Sequence, residues 1–445
     1  MQTPNRIVRL HPGEFPLVLI LGLVLLVNSL TMQLGGIVAV SGFLNTGGIN
    51  SILVVYLVDY ALIFLSGVFQ SLIVDRFDRT KLVKAMALLF ALVYLVLRLL
   101  FWLGAPDWLN YAITFVFAEQ QFVFFPLVFW VLANDLYSME QSKRLFPLIS
   151  SLSFVGELIG IGLAIAAPVI MLALNVSIEE VLTLNAILYL GAWLSLHFGL
   201  RGLKPRTTVR QKQNLRETLV EGWDFVRNVD SFRYLMYVII ALAASWLMLE
   251  FRFLGITDQT YPDQFSYQRF FSIFRLVLAL GGFAMQALFT SRLLAAMDLR
   301  RAFFILPAAA LIGAVLMLVF PGATPVIAGI GIYMLARLTI HDSAIKSLES
   351  LIPEERRGRA STFLDGYLPA VGVIGGVLLT GVVVLIGQWT QTDLHWLYLV
   401  LAAVAAALSI FWIFKMQKVY DNSLLNWRLK RRRTTATSVM DKLDF

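Results

Sequence analysis

The sequence predicts an all-α integral membrane protein with about twelve transmembrane helices in two pseudo-symmetric six-helix halves. Three observations carry this expectation. Twelve long apolar stretches run through 445 residues that are 59% hydrophobic and 14% charged, where a water-soluble domain carries roughly 25% charged residues. The loops between the stretches alternate between basic and neutral or acidic. A polar segment, 201–231, interrupts the chain after the sixth stretch.

A membrane helix needs about 20 apolar residues. The candidate spans are 15–42, 50–73, 82–104, 108–133, 146–173 and 179–200, then 232–256, 267–289, 302–320, 324–348, 361–387 and 393–415. The first is long and the ninth short, so ten or eleven spans are alternatives. The segment before span one, Met1 to His11, is polar and basic, and span one lacks a small-residue cleavage site. It therefore reads as a first span rather than a signal peptide.

One set of loops holds Arg76, Arg79 and Lys81, then Lys143 and Arg144, then Arg201 to Lys212. The same set continues with Arg292, Arg300 and Arg301, then Arg356 to Arg359, and the tail Arg428 to Arg433. The other set is neutral or acidic: Leu44 to Asn50, Asp107, Glu179 with Glu180, Asp258 with Asp263, and Asp393. The basic side is cytoplasmic by the positive-inside rule. Both termini are then expected in the cytoplasm, and the membrane is expected to be a bacterial inner (plasma) membrane. The net charge of +8 is accounted for by topology, so no nucleic-acid partner is expected.

These boundaries imply a cytoplasmic N-terminus at 1–14, an N-terminal six-helix half at 15–200 and a cytoplasmic linker at 201–231. A C-terminal six-helix half at 232–415 and a basic cytoplasmic tail at 416–445 follow. In the linker Leu215, Leu219, Trp223 and Val226 form one apolar face at helical spacing, as in a helix lying on the membrane surface. The halves match weakly at an offset of about 214–216 residues, the pattern of an internally repeated transporter fold. The tail could contact a cytoplasmic partner.

Several function classes drop out. The chain has no cysteine, which excludes disulfides and thiolate metal sites. Its histidines, His11, His197, His341 and His395, lack metal-ligand spacing. No Gly-x-Ser-x-Gly, His-Glu-x-x-His or phosphate-binding Gly-Lys-Ser/Thr loop is present. No enzyme activity, catalytic residue, metal or cofactor is expected.

A charge in hydrocarbon costs several kcal/mol unless it is paired or wetted, so charges at mid-membrane depth are the first candidates for a site. At 1.5 Å per residue, Glu119 and Glu157 lie roughly 16 Å deep. Arg275 and Asp59 lie about 8 and 9 residues from the outer side, and Arg337 about 13, slightly past the midplane. In a two-half bundle of the major-facilitator type, which the loop signature below resembles, spans five and eight face each other, as do spans four and ten. Two pairs are therefore expected, Glu157 with Arg275 and Glu119 with Arg337. A structural salt bridge that binds no ligand accounts for the same residues. Asp59 has no evident partner. Arg98, Glu250, Arg252, Arg269 and Lys346 lie nearer the ends, where snorkelling is the default.

The loop after span two reads Ser71-Leu-Ile-Val-Asp75-Arg76-Phe-Asp78-Arg79-Thr-Lys81. It resembles the cytoplasmic signature of the major facilitator superfamily, with both glycines replaced, by Ser71 and Asp78. The resemblance implies a major-facilitator-like fold in which Asp75, Arg76 and Arg79 latch the inner gate; a carboxylate is favoured at a helix N-terminus. A solvated loop that only sets topology is the alternative. Small-residue faces occur in span five (Gly156, Gly160, Gly162) and span eleven (Gly372, Gly375, Gly376, Gly381). They suit either sliding contacts between halves or static close packing.

Two stretches together resemble the nucleotide transporter family, the ATP/ADP antiporters of plastids and intracellular bacteria. The first is Phe129-Trp130-Val-Leu-Ala133-Asn134 followed by Glu140-Gln-Ser-Lys143-Arg144-Leu-Phe146-Pro147-Leu148. The second is Arg337-Leu-Thr-Ile-His341-Asp342, then Pro353 to Arg359, then Asp365-Gly366. The family has Phe-Trp-x-x-Ala-Asn with a basic turn, then Lys-Tyr-Ser-x-Phe-Asp with a basic loop and Asp-Gly. The resemblance implies that Arg337 stands at a functionally important lysine and that Glu119 falls near a span-four glutamate. Asp342, Arg359 and Asp365 join the gating candidates. Departures are a first span without lysine, Phe146 for a tyrosine, and Ile345-Lys346 for Lys-Glu.

The leading expectation is a secondary transporter working by alternating access. Arg275 and Arg337 would attract a small anionic substrate, a nucleotide by the resemblance, and Glu119, Glu157 and Asp59 would complete the site. The runner-up is a non-transporting membrane sensor or anchor; a transporter of another solute or of lipid is a third reading.

Overall fold

The computed structural model describes residues 11, 13–73, 78–201, 223, 227–290, 293, 299–349, 361 and 363–440. Nearly all of these are helical. The spans are α1 (Phe15–Gly47), α2 (Ile52–Ile73), α3 (Arg79–Trp102), α4 (Asp107–Leu136), α5 (Met139–Leu174) and α6 (Glu180–Gly199). They continue with α7 (Asp230–Thr260), α8 (Gln264–Met285), α9 (Ile305–Val319), α10 (Ala323–Ala336, resuming as Asp342–Glu349), α11 (Leu368–Thr390) and α12 (His395–Met440). Among the described residues ten helices are long and apolar enough to cross a membrane, and Ile49–Leu65 and Ile305–Val319 are shorter apolar helices. The protein is an integral membrane protein of about twelve spans. The expected surface helix of the linker lies outside the described residues except at Trp223 and from residue 227 on.

Local chemistry starts and stops these helices. Ser138 caps α5 reciprocally with Gln141, and Asp78 caps α3 by accepting from the Lys81 amide; each satisfies backbone donors that a helix start leaves open. Gly48, at φ 73°, ends α1 in a conformation that favours glycine. At the other end of α1, Glu14 accepts both guanidinium nitrogens of Arg144, at 2.7 and 2.9 Å, and the Gln141 amide at 3.2 Å. This clamp ties the start of α1 to the start of α5. The Arg144 guanidinium holds the Glu14 carboxyl at about 2, below its ordinary 4.5. A depressed carboxyl stabilises the fold above its unfolded value and loses that contribution as pH falls through the folded one. The melting-temperature difference between wild type and Arg144→Met is therefore expected to be constant above about pH 4.5 and to vanish near pH 2.

The chain divides into two compact units, 1–213 with 257–280, and 214–256 with 281–445. In unit one, α1 is central and packs against α4, α5 and α6, while α3 packs on α6 and α2 on α4. A buried polar network holds this core. Gln121 donates to the Asn28 carbonyl (2.9 Å) and Thr31 Oγ1 (2.8 Å), Tyr94 donates to Gln121 (2.8 Å), and Tyr189 donates to Asn28 Oδ1 (2.8 Å). In the absence of water these groups must satisfy one another. In unit two, α7 is braced by Ser245 donating to the Ala402 carbonyl of α12 (3.1 Å) and by Tyr333 of α10 donating to the Leu242 carbonyl (3.4 Å).

The glycine faces pack inside each unit. A Cβ on Gly156 would stand 2.2 Å from the Leu26 carbonyl oxygen of α1, and one on Gly160 2.5 Å from that of Leu30. In unit two a Cβ on Gly372 would stand 2.5 Å from the Ile240 oxygen of α7, and one on Gly376 2.9 Å from that of Ala244. The two arrangements repeat at offsets of 216 residues for the glycines and 214 for the helix they meet. Gly162, Gly375 and Gly381 meet nothing within 4 Å. These four contacts are thus close packing within a unit.

The snorkelling expectation needs correction at Glu250 and Arg252, which are buried; Arg98 and Lys346 keep partly or largely exposed side chains beside a carboxylate. Arg98 donates from Nε to Glu180 at 3.1 Å. Glu250 and Arg252 are buried, at 6% and 9% exposure, and Arg252 interacts with Tyr398 and Asp393. Lys346 pairs with Asp365. For Arg98, Arg252 and Lys346 the counter-charge comes from a neighbouring segment of the same unit. Arg269 is exposed.

Candidate functional site

Glu157 of α5 and Arg275 of α8, two of the charges expected at membrane depth, are brought together by Gln33 of α1. The glycines of α5 let α1 approach so closely that Ser29 and Ser153 hydrogen-bond at 2.6 Å. One turn further along both helices, Gln33 Nε2 donates to Glu157 Oε1 at 3.1 Å. A Cβ on Gly160 would lie 3.1 Å from that of Gln33, so the bare glycine is what gives Gln33 room. The other end of the same amide accepts from Arg275 Nη2 at 3.2 Å. An amide is one of the few side chains that can donate to a carboxylate and accept from a guanidinium at once.

Glu157 and Arg275 are in charge range of each other, and among the described residues the Gln33 amide stands between them without a direct ion pair. Arg275 rests over the Phe271 ring at 5.9 Å. Both Arg275 and Glu157 are only partly buried. Among the described residues, one of the five guanidinium donors of Arg275 is engaged in a hydrogen bond. The arrangement is an oriented cation with donors to spare, near a carboxylate that it does not bond.

The side of unit one that lacks the basic loops is also tied together. Asn45 donates to the Pro262 carbonyl (3.2 Å), Gln264 to the Tyr111 hydroxyl (3.1 Å) and Gln268 to the Ala164 carbonyl (2.8 Å), while Tyr111 donates to Glu179 (2.6 Å). These bonds dock the turn between α7 and α8 and the start of α8 on α1, α4 and α5. That is why residues 257–280 belong to this unit.

Asp59 of α2 has a partner that charge alone did not reveal. Its Oδ1 accepts from Gln120 Nε2 at 2.8 Å, and it lies in charge range of Glu119. Arg79 pairs with Asp135 at the basic end of α3 and α4. Asp75, Arg76 and Arg359 lie outside the described residues.

In unit two, α10 widens at Arg337 into a π-helical turn, Arg337–His341. Similar turns occur at Gln286–Thr290, after α8, and Phe363–Tyr367, before α11. Such turns are rare and frequent at functional sites. Arg337 lies over the Trp246 ring at 5.7 Å and in charge range of Asp342, His341 and Tyr333. His341 is 8% exposed and meets the edge of Phe303. Asp365 pairs with Lys346. Each unit thus sets one of the two candidate arginines over an aromatic ring. Glu119 belongs to unit one and Arg337 to unit two.

A cavity of about 790 Å³ in unit one is lined by Phe43, Val54, Val58, Trp108 and Ile113 among others. It holds none of the charged candidates, so its chemistry is not that of an anion site. Among the described residues no group of three or more His, Asp or Glu could hold a metal ion.

Gln33, Gln120 and Gln268 are the residues that reasoning from charge overlooked. The available signal was the run Asn28-Ser29-Leu-Thr31-Met-Gln33 inside an otherwise apolar first span, since polar side chains at membrane depth need partners as well.

No protein-family model matches the chain, and no curated protein sequence matches it. Among solved structures it is similar to the nucleoside transporter NupG, with a TM-score of 0.64 and 15% identity over 91% of this chain and 99% of that one. It is similar to an auto-inhibited POT family peptide transporter, with a TM-score of 0.64 and 11% identity over 89% and 96%. A bacterial homologue of the iron transporter ferroportin in its inward-facing state matches with a TM-score of 0.61 and 15% identity over 92% and 99%. At these identities the likeness is one of fold, and the fold is major-facilitator-like. None of the three is described as an ATP/ADP exchanger.

Proposed function

We propose that the protein is a secondary transporter of a small anionic solute, working by alternating access, with Arg275 as a primary anion-binding residue. The observation that carries this is the Gln33 amide between Glu157 and Arg275. An arginine held at membrane depth only to make a structural ion pair would bond its carboxylate directly, because that is the geometry that offsets its desolvation. Here the guanidinium keeps donors for a carboxylate or phosphate, which it binds in bidentate fashion.

The same geometry supplies a coupling step. An arriving anion competes with Gln33 for the guanidinium and frees its amide, which also holds α1 to α5 through Glu157. Occupancy of the site is thereby reported to the α1–α5 contact. The fold likeness to solved transporters supports a transport role. Arg337 on its π-helical turn is the second arginine of the assignment, and Asp342, Asp365 and Arg79 are gating residues.

The finer reading is exchange of nucleotides of the ATP/ADP type. It is supported by the sequence resemblance at 129–148 and 337–366, and by the aromatic ring beneath each arginine, since guanidinium and planar groups stack together. The basic side is cytoplasmic in this reading. Counterflow in proteoliposomes, with labelled ATP outside against a panel of internal nucleotides and other small anions, tests it. Uptake driven by an internal nucleotide and lost in Arg337→Ala is the expected result. Counterflow with other anions only would discard nucleotides and keep the transporter; none with any small anion would discard both.

A further inference from the structure

We propose that α5 is hinged at Pro168 and that the Gln268 carboxamide of α8 is the catch that holds the hinge closed. Pro168 lies inside α5. A proline has no N–H, so the carbonyl four residues earlier loses its helical donor. That carbonyl belongs to Ala164, and it accepts from Gln268 Nε2 at 2.8 Å. Both residues are fully buried, where solvent does not replace a lost donor. The side chain of one helix thus supplies what the proline of another takes away.

α5 is built differently on the two sides of this point. Before it, the helix is pinned to α1. Cβ atoms on Gly156 and Gly160 would meet the Leu26 and Leu30 carbonyl oxygens at 2.2 and 2.5 Å, Ser153 bonds Ser29, and Glu157 accepts from Gln33. After it, Val169, Ile170, Leu172 and Leu174 are exposed. A helix held closely on one side of a proline and largely exposed on the other bends at the proline.

The catch is releasable. Gln268 spends its Nε2 on Ala164, but its Oε1 is buried without a hydrogen-bond partner. The gain at the donor end is therefore offset by an orphaned acceptor, whereas a contact that served only to hold two helices together would satisfy both ends of a buried amide. Two turns along α8 from Gln268, Arg275 bonds Gln33. α8 thus meets α1 and α5 through two amides, Gln268 at the hinge and Gln33 at the charged cluster. Parting α8 from α5 must break the first.

If the protein is a transporter as proposed above, bending at Pro168 with release of Gln268 is how the end of α5 parts from α8. That use rests on the transport reading; the hinge itself does not. The chain has no cysteine, so spin labels can be placed on the full-length protein at Leu99→Cys and Leu174→Cys. Both positions are exposed, and the bond from Arg98 to Glu180 puts Leu99 at the same end of the unit as Leu174. In lipid nanodiscs Gln268→Leu is expected to broaden the label-to-label distance distribution by a few ångström, since residues 168–174 form an arm about 9 Å long. Adding Pro168→Ala, which returns the missing amide to the helix, is expected to restore a single narrow distance. Distances that respond to neither substitution would overturn the hinge. Melting temperatures of the same variants close a double-mutant cycle. Gln268→Leu is expected to be more damaging alone than with Pro168→Ala, where the restored amide takes the Ala164 carbonyl. Equal shifts in both backgrounds would overturn the catch. A protein that bends at Pro168 but takes up none of the small anions tested above would uphold the hinge and sink the transport reading.

Discussion

Replacing Arg275 with Ala is expected to slow uptake of the transported anion by at least roughly 30-fold while the protein remains folded. Truncating one partner of a desolvated, hydrogen-bonded charge pair costs about 2–5 kcal/mol, and the lower figure corresponds to roughly 30-fold in affinity. The fold should survive because the structural demand on Arg275 is small: one hydrogen bond to Gln33 and a ring contact with Phe271. Glu157 keeps its bond from Gln33 in the variant. Arg275→Lys retains the charge but loses the planar fork, so it should fall between wild type and Ala. Gln33→Leu removes the tether and leaves the cation, which should weaken substrate coupling more than substrate attraction. Initial rates in proteoliposomes, with melting temperatures measured on the same preparations, decide the matter. Unchanged uptake in a folded Arg275→Ala protein would remove the residue from the site.

The second large effect concerns packing. Gly160→Ala is expected to destabilise the protein and to impair uptake together, whereas Gly162→Ala, two residues away, should do neither. The added methyl at 160 would meet the Leu30 carbonyl oxygen at 2.5 Å, Leu30 Cα at 3.0 Å and Gln33 Cβ at 3.1 Å. Two of these are backbone atoms of α1 and cannot turn aside, so the helix must move. Overpacking of this kind costs about 1–3 kcal/mol. The displaced stretch is the one that carries Gln33 to Glu157, so the site loosens with the helix. At Gly162 a Cβ meets nothing within 4 Å. A fluorescence melt and an uptake assay on both variants would separate these expectations. Equal melting temperatures would show that the α1–α5 contact is not as close as described.

Much of the architecture was legible in the chain. The apolar stretches mark the spans because each must satisfy its own backbone in the absence of water, and most helices begin and end within a few residues of where hydropathy placed them, although α5 starts at Met139 and α12 runs on to Met440. The weak offset between halves reappears in three dimensions as the same glycine-on-backbone contact on α5 with α1 and α11 with α7. The site was legible only in its charges. Glu157, Arg275 and Arg337 stand out because ionised groups at depth are rare. Gln33 and Gln120 do not, since a neutral amide barely alters a hydropathy profile. Charge reasoning also sent Arg98 and Arg252 to the membrane surface, whereas Glu180 and Asp393 serve them from neighbouring segments.

What the sequence by itself determined is the approximate number and ends of the spans, their membrane location and the short roster of charges within them. These follow from composition and period, which act locally along the chain. The tertiary structure alone decided which groups meet. It put an amide rather than a direct ion pair between Glu157 and Arg275, gave Asp59 its partner in Gln120, and turned the glycine faces inward to pack α5 on α1 and α11 on α7. The reason is distance: hydrogen bonds and close contacts are settled over tenths of an ångström between residues more than a hundred positions apart, and no local pattern encodes that.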